Sequence, residues 1–244
     1  MPKEETNELV ADLRATFAAH ANPADAAPMQ AYMKSSLPFY GLKAPLRRRL
    51  QADVVARHPC TSTSALAATM KQLWRAARYR EERYAAIEIA RDRRHAKLAT
   101  LALLPLWEEM IRDGAWWDYC DDISASAIGP LLESEPARMK PVLRRWARGK
   151  DIWLRRAAFL CQRRHKAVDA ELLYDCILPS LDRDEFFLRK GIGWALRERA
   201  YAAPAEVIEF CRTYADRLAP LTRREALRVL AARGNAQARR LLRP

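Results

Sequence analysis

Apolar and polar positions alternate along this chain with the three-to-four-residue spacing of helices that bury one face, and the period is broken by regular punctuation. Glu4 to Ala21 reads as an amphipathic helix ended by Asn22-Pro23, and a second helix runs to about Ser36. The stretch Leu37-Pro38-Phe39-Tyr40-Gly41-Leu42-Lys43 reads as a loop, after which Ala44-Pro45 opens a helix with proline in its first turn. Further helices are predicted at 62–76, 79–93, 104–113, 117–133, 136–148, 151–166, 169–181, 185–201, 204–217 and 222–232, with a short one to the end. No segment shows period-two alternation or a hairpin signal, so the expected class is all-α.

A second regularity is longer. Leu154-Arg155-Arg156-Ala157-Ala158 returns as Leu188-Arg189-Lys190-Gly191-Ile192 and as Thr222-Arg223-Arg224-Glu225-Ala226. Arg156, Lys190 and Arg224 are each 34 positions apart, room for two helices and two turns. Such self-similarity predicts stacked helix pairs, each covering its neighbour's apolar face. The tetratricopeptide repeat has this period, but its Trp, Leu-Gly and Tyr signature is missing. A HEAT-like array is therefore expected: one domain over 1–244, a single curved solenoid with a basic concave face.

Charge turns that architecture toward a partner. Lys and Arg number 43 against 30 Asp and Glu, a formal charge of +13, which suits a polyanion such as DNA, RNA or an acidic membrane surface. Equivalent residues of successive repeats line one surface, so Arg156, Lys190 and Arg224 should form a basic row. Arg163 and Arg164 lie seven and eight positions after Arg156, and Lys190, Trp194 and Arg197 make a cation–aromatic–cation stripe. Arg47 and Arg48 open an earlier helix beside Lys43. This pattern points to a nucleic-acid backbone.

Other chemistries find little support. The five cysteines are odd in number, far apart and without a CxxC pair, and read as reduced core residues. The four histidines form no HxH or HxxxH pair, so neither a metal nor any cofactor is expected. The opening MPKEETNELV does not resemble a signal peptide, and no apolar run approaches the ~20 residues of a membrane helix. A cytoplasmic, nucleoid-associated monomer with no membrane partner is expected.

The basic register is interrupted once. Counting back 34 from Arg155 and Arg156 gives Asp121 and Asp122, within Ala115-Trp116-Trp117-Asp118-Tyr119-Cys120-Asp121-Asp122. Trp117 and Asp121 share one helical face. A carboxylate amid a phosphate-binding surface weakens binding, so it is either an incidental acid or has work that needs negative charge.

With Trp116 to Asp121, the chain carries Ile152-Trp153-Leu154-Arg155-Arg156-Ala157-Ala158 and Ile192-Gly193-Trp194-Ala195-Leu196-Arg197-Glu198. It also carries Tyr32-Met33-Lys34, Pro38-Phe39-x-Gly41-x-x-Ala44-Pro45 and Glu185-Phe186-Phe187. Together these resemble the AlkD-like DNA alkylation-repair glycosylases, in matching order over roughly residues 25 to 230. The resemblance implies HEAT-like repeats that cradle duplex DNA and excise N3- and N7-alkylated purines. It implies catalytic positions at Trp117, Asp121 and Trp194. DNA contacts are implied at Arg156, near the lesion, at Tyr32, close to the modified nucleotide, and at the basic Arg164 and Arg197. Lys43 stands where the family can carry a glutamine, and favours a phosphate contact. Asp122 is a further departure.

These residue types suit that reaction. A purine alkylated at N3 or N7 is cationic and leaves neutral, so no general acid is needed. An oxocarbenium-like deoxyribose develops instead, and a carboxylate can stabilise it and orient the attacking water. Tryptophan faces beside a cation add about 1–2 kcal/mol each when desolvated. The sequence shows no second polar constellation for a base-flipping pocket and no lysine–aspartate pair for strand nicking. The alternatives are a non-catalytic repeat protein that binds bent or damaged DNA, and an RNA-binding or protein-interaction solenoid.

Overall fold

In the computed structural model, residues 7–242 are described; the expected helix start at Glu4 and the last two residues of the chain lie outside them. No strand occurs among the described residues. The chain divides into two compact units, one up to Met110 and one from Ile111 onward.

In the first unit, α1 (Glu8–Ala19) begins where the Asn7 side chain accepts from the Val10 N–H, and α2 (Pro23–Met33) begins with the Asn22 cap and Pro23 in its first turn. Lys34 then turns the chain in the left-handed region, at φ 49°. α3 (Ala44–Arg57), α4 (Thr63–Arg75) and α5 (Arg80–Glu88) follow, and a 3-10 turn extends α5 through Arg91. α1 packs on α3 and α4, and α4 on α5, around Leu13, Phe17, Leu42, Val54, Leu66 and Met70. Helix α6 (Leu104–Gly114) contains the division between the units.

The second unit holds α7 (Trp117–Ile123), α8 (Gly129–Ser134), α9 (Pro136–Arg148), α10 (Ile152–Leu160) and α11 (Ala170–Ile177). It continues with α12 (Phe186–Ala202), α13 (Pro204–Thr213), α14 (Pro220–Ala232) and α15 (Ala236–Leu241). α7, α10, α12 and α14 pack side by side in one layer, and α9 packs on α11 in the other. The layers close over Met139, Leu143, Leu160, Leu172, Leu188 and Leu196, all fully buried. Arg156, Lys190 and Arg224 sit on α10, α12 and α14, so the repeat of 34 is the step between neighbours in that layer.

Helix ends differ from expectation in one systematic way. The segments predicted as 79–93, 151–166 and 169–181 leave the α state early and tighten into 3-10 turns at Ile89–Arg91, Cys161–Arg164 and Leu178–Ser180. The segment predicted as 117–133 is helical throughout, but Ser124–Ile128 forms a π turn in its middle. There the Gly129 N–H donates to the Ser124 carbonyl, five residues back. Ser124 and Ser126 hydroxyls donate to the carbonyls of Cys120 (2.5 Å) and Asp122 (2.6 Å), four residues back.

Close backbone approach is localised. A Cβ built on Gly193 would lie 2.6 Å from Glu225 Cβ and 2.8 Å from the Thr222 carbonyl oxygen, so α12 and α14 meet almost backbone to backbone. Four of the five cysteines are buried and all are free thiols, and burial pushes Cys176 and Cys211 up to about 12. No described helix is long and apolar enough to cross a membrane.

A buried carboxylate–guanidinium pair and the basic surface

Asp121 lies on the last turn of α7 and faces α10, one repeat on. Both its carboxylate oxygens accept from Arg156: Nε donates to Oδ1 at 2.7 Å and Nη2 to Oδ2 at 2.8 Å. The pair is buried, Asp121 8% and Arg156 3% exposed. The remaining guanidinium nitrogen, Nη1, donates to the Phe187 carbonyl at the start of α12. Burial works against the Arg156 charge, but the hydrogen bonds and charge of Asp121 outweigh it and hold the group above its ordinary value. Gly191 makes room for this arrangement, since a Cβ there would lie 2.5 Å from Arg156 Nη1.

Arg163, on the 3-10 extension of α10, lays its guanidinium over the ring of Trp194, 4.0 Å from the centroid. The Arg197 guanidinium lies 5.8 Å from the same ring. Arg163 is half-buried, and its Nε is among the buried polar atoms without a hydrogen-bond partner. Burial pulls the group below its ordinary value against the nearby charges of Asp121 and Glu198, with Arg156 and Arg164 adding to the depression. Asp121, Arg156, Arg163 and Trp194 thus form one cluster. Trp117, half-buried, opens α7 one turn before Asp121. Beside the cluster, Phe187 packs edge-on to Trp116 at 5.5 Å and against Trp153 at 5.1 Å. A cavity lined in part by Phe159, Gln162, Arg163 and Glu198 has a volume of about 20 Å³, room for one water and not for a purine.

Several expected surface cations are not on the surface. Arg156 does not continue a solvent-facing row with Lys190 and Arg224, which are exposed; it is turned inward onto Asp121. Arg197 is buried and donates to Glu225 at 2.6 Å. Arg47, in the first unit, is buried over the Tyr84 ring, its Nη2 2.9 Å from Glu88. All three are satisfied in the same way: each guanidinium withdrawn from water donates to a carboxylate. Arg163 departs for a different reason, because the helix tightens after Leu160 and alters the α spacing from Arg156. Arg164 and Lys190 are exposed, with Lys190 Nζ 5.6 Å from the Phe186 ring.

Tyr32 and Lys43 are exposed on the first unit, Tyr32 at 75%. Lys43 pairs with Asp25 at 3.0 Å. The loop before Lys43 is held from below by Glu81, whose fully buried carboxylate accepts the backbone N–H groups of Tyr40, Gly41 and Leu42 at 2.9–3.1 Å. Gly41 sits at φ +84°, where a Cβ would come within 2.0 Å of the Asn22 carbonyl oxygen. Helical spacing gave no role to Glu81, Glu88, Phe187, Gly191 or Glu225, although the last three lie in the motif and repeat segments noted above. Opposite charges one repeat apart were the available signal for Asp121 and Arg156, because neighbouring repeats bring such positions into contact.

Comparison with known proteins places this architecture. A solved structure named a predicted DNA alkylation repair enzyme, from Enterococcus faecalis, is similar over 86% of this chain and 97% of its own, with 27% identity and a TM-score of 0.77. No curated protein matches significantly. The sequence model of the DNA alkylation repair enzyme family matches residues 13–230. With nearly its whole length covered by that match and its all-α stack shared with the solved structure, the chain belongs to the DNA alkylation repair enzyme family.

Proposed function

We propose that the chain is a monofunctional DNA glycosylase that hydrolyses the N-glycosidic bond of cationic N3- and N7-alkylpurines in duplex DNA. The observation that carries this reading is the Asp121 carboxylate, held by Arg156 in a fixed plane one helical turn from Trp117. Negative charge buried in so basic a chain has a use where positive charge develops on the sugar. At ~4 Å and an effective dielectric of ~20 such an attraction is about 4 kcal/mol. That is an upper bound of roughly a thousandfold in rate, since Arg156 cancels part of the charge. Arg156 acts in this reading through Asp121, fixing which way the carboxylate points. One face of Trp194 is already occupied by Arg163, so a nucleotide can use only the other. Tyr32, Lys43, Arg164 and Lys190, all exposed, are the proposed direct DNA contacts. Asp121→Asn is expected to retain binding to methylated duplex but to lose most release of 7-methylguanine and 3-methyladenine. Undiminished release would remove the catalytic assignment.

A second reading has its own support. Both Asp121 oxygens are already satisfied by Arg156, as in a purely structural pair, which favours a non-catalytic protein that binds bent or damaged DNA. The same release assay on the unmodified protein decides between them.

A further inference from the structure

One short motif occurs twice, and only its second copy belongs to the site described above. Arg93-Arg94-His95-Ala96-Lys97 in the first unit and Arg163-Arg164-His165-Lys166 in the second stand about two repeat lengths apart. Their local structures match. Each follows a helix that tightens into a 3-10 turn, Ile89–Arg91 after α5 and Cys161–Arg164 after α10. In each the histidine backbone N–H donates to the carbonyl three residues back, His95 to Asp92 at 2.8 Å and His165 to Gln162 at 3.0 Å. In each the histidine side chain turns inward while its basic neighbours face solvent: Arg93, Arg94 and Lys97 are exposed, and so are Arg164 and Lys166.

The first loop is the more firmly pinned. His95 is fully buried, with Nδ1 2.9 Å from the Ile89 carbonyl and Nε2 2.9 Å from the Cys60 N–H. Its own carbonyl accepts from Leu98 and Ala99, and the Leu98 carbonyl accepts from the Thr63 hydroxyl. The backbone under Arg93 and Lys97 is therefore fixed on both sides, and only side-chain freedom remains to be lost on binding. Several exposed arginines hold carboxylates, as Arg57 does Asp12, Arg75 does Glu109 and Arg217 does Asp182. Among the described residues, Arg93, Lys97, Arg164 and Lys166 have no ion-pair partner; Arg94 has Asp92. A rigid loop that presents uncompensated cations matches a phosphodiester backbone.

We propose that the Arg93–Lys97 loop is a second backbone-phosphate contact for duplex DNA, the counterpart in the first unit of the loop that carries Arg164. The inference rests on the reading that the chain binds duplex DNA. Binding of a fluorescent undamaged duplex by the full chain, followed by anisotropy over a series of KCl concentrations, tests it. Arg93→Ala/Lys97→Ala should weaken binding about tenfold or more at low salt and lower the slope of log K against log[salt] by about two, each phosphate contact contributing about 0.9. Arg164→Ala/Lys166→Ala should act similarly, and the charge-keeping Arg93→Lys/Lys97→Arg should retain the parental slope. A slope that falls in the Arg164 variant but not in the Arg93 variant overturns the inference and leaves DNA binding standing. Loss of slope in the charge-keeping variant also overturns it, because packing rather than charge would then be at work. An unmodified chain with no salt-dependent affinity overturns the DNA reading itself.

Discussion

Removing both partners of the Asp121–Arg156 pair should cost clearly less stability than the two single removals added together. The two hydrogen bonds are 2.7 and 2.8 Å long and both side chains are under 10% exposed. Arg156→Gln leaves a buried carboxylate without its counter-ion, and Asp121→Asn leaves a buried guanidinium in the same condition. Each should cost about 3–5 kcal/mol, which lowers Tm by roughly 10 °C for a chain of this size. In the double variant the two amides can still hydrogen-bond and no lone charge is buried. Its loss should fall short of the sum of the singles by about 2 kcal/mol or more. Urea denaturation of the four proteins, at one pH and salt concentration, supplies the cycle. Losses that add to within about 0.5 kcal/mol would refute the claim that the two charges meet in a dehydrated environment. The cycle is independent of catalysis, so it separates the geometry of the pair from what the pair does.

Three further outcomes follow from packing and charge. Glu81→Ala leaves three backbone N–H groups of the Tyr40–Leu42 segment without their acceptor; a loss of about 2–4 kcal/mol is expected in denaturant melts, and a loss under about 0.5 kcal/mol would show the segment is held by other contacts. Gly191→Ala places a methyl 2.5 Å from Arg156 Nη1 and 2.9 Å from the Phe159 ring, so it should destabilise by about 1–3 kcal/mol, and a neutral result would mean that both neighbours yield freely. Burial pushes the Glu88 carboxyl up, but Arg47, Arg48 and Arg91 outweigh it and hold it below its ordinary 4.5. Its contribution is therefore present above that value and disappears as pH falls through the lower folded value. Urea midpoints measured from neutral pH downward should show a loss below about pH 4.5 that shrinks in Glu88→Gln, and an unaltered acid limb would contradict the assignment.

Most helix starts were legible because the chain marks them chemically: Pro23, Pro45, Pro136, Pro204 and Pro220 all stand in first turns, and Asn22 and Ser62 cap helices with their side chains. The 3-10 endings and the π turn were not legible, since they depend on hydroxyl and carbonyl partners that local spacing does not specify. The candidate site divides along the same line. Family motifs and the interrupted repeat pointed to Asp121 and Trp194, whereas the inward turn of Arg47, Arg156 and Arg197 was missed. Helical spacing says which residues share a face, not whether that face meets water or a carboxylate from another helix. Arg156 and Asp121 lie 35 residues apart, and Arg47 and Glu88 lie 41.

The π turn behind Asp121 bears on the history of chain length in this helix. In an unbroken α-helix, residues eight apart lie about 80° from alignment, while residues seven apart lie within about 20°. The turn absorbs one surplus residue, so Asp121 can face Arg156 while Gly129 faces the Cys161 carbonyl, an approach of 2.5 Å for any Cβ. A surplus of one residue is the trace that a single-codon insertion leaves when both flanking faces are already committed. Deleting one residue within Ser124–Ile128 should return the helix to a plain α path with both faces still aligned. A deletion a few residues further on, between Gly129 and Ser134, would instead turn the end of α8 out of register. Relatives of different length are thus expected to place their gap inside the turn.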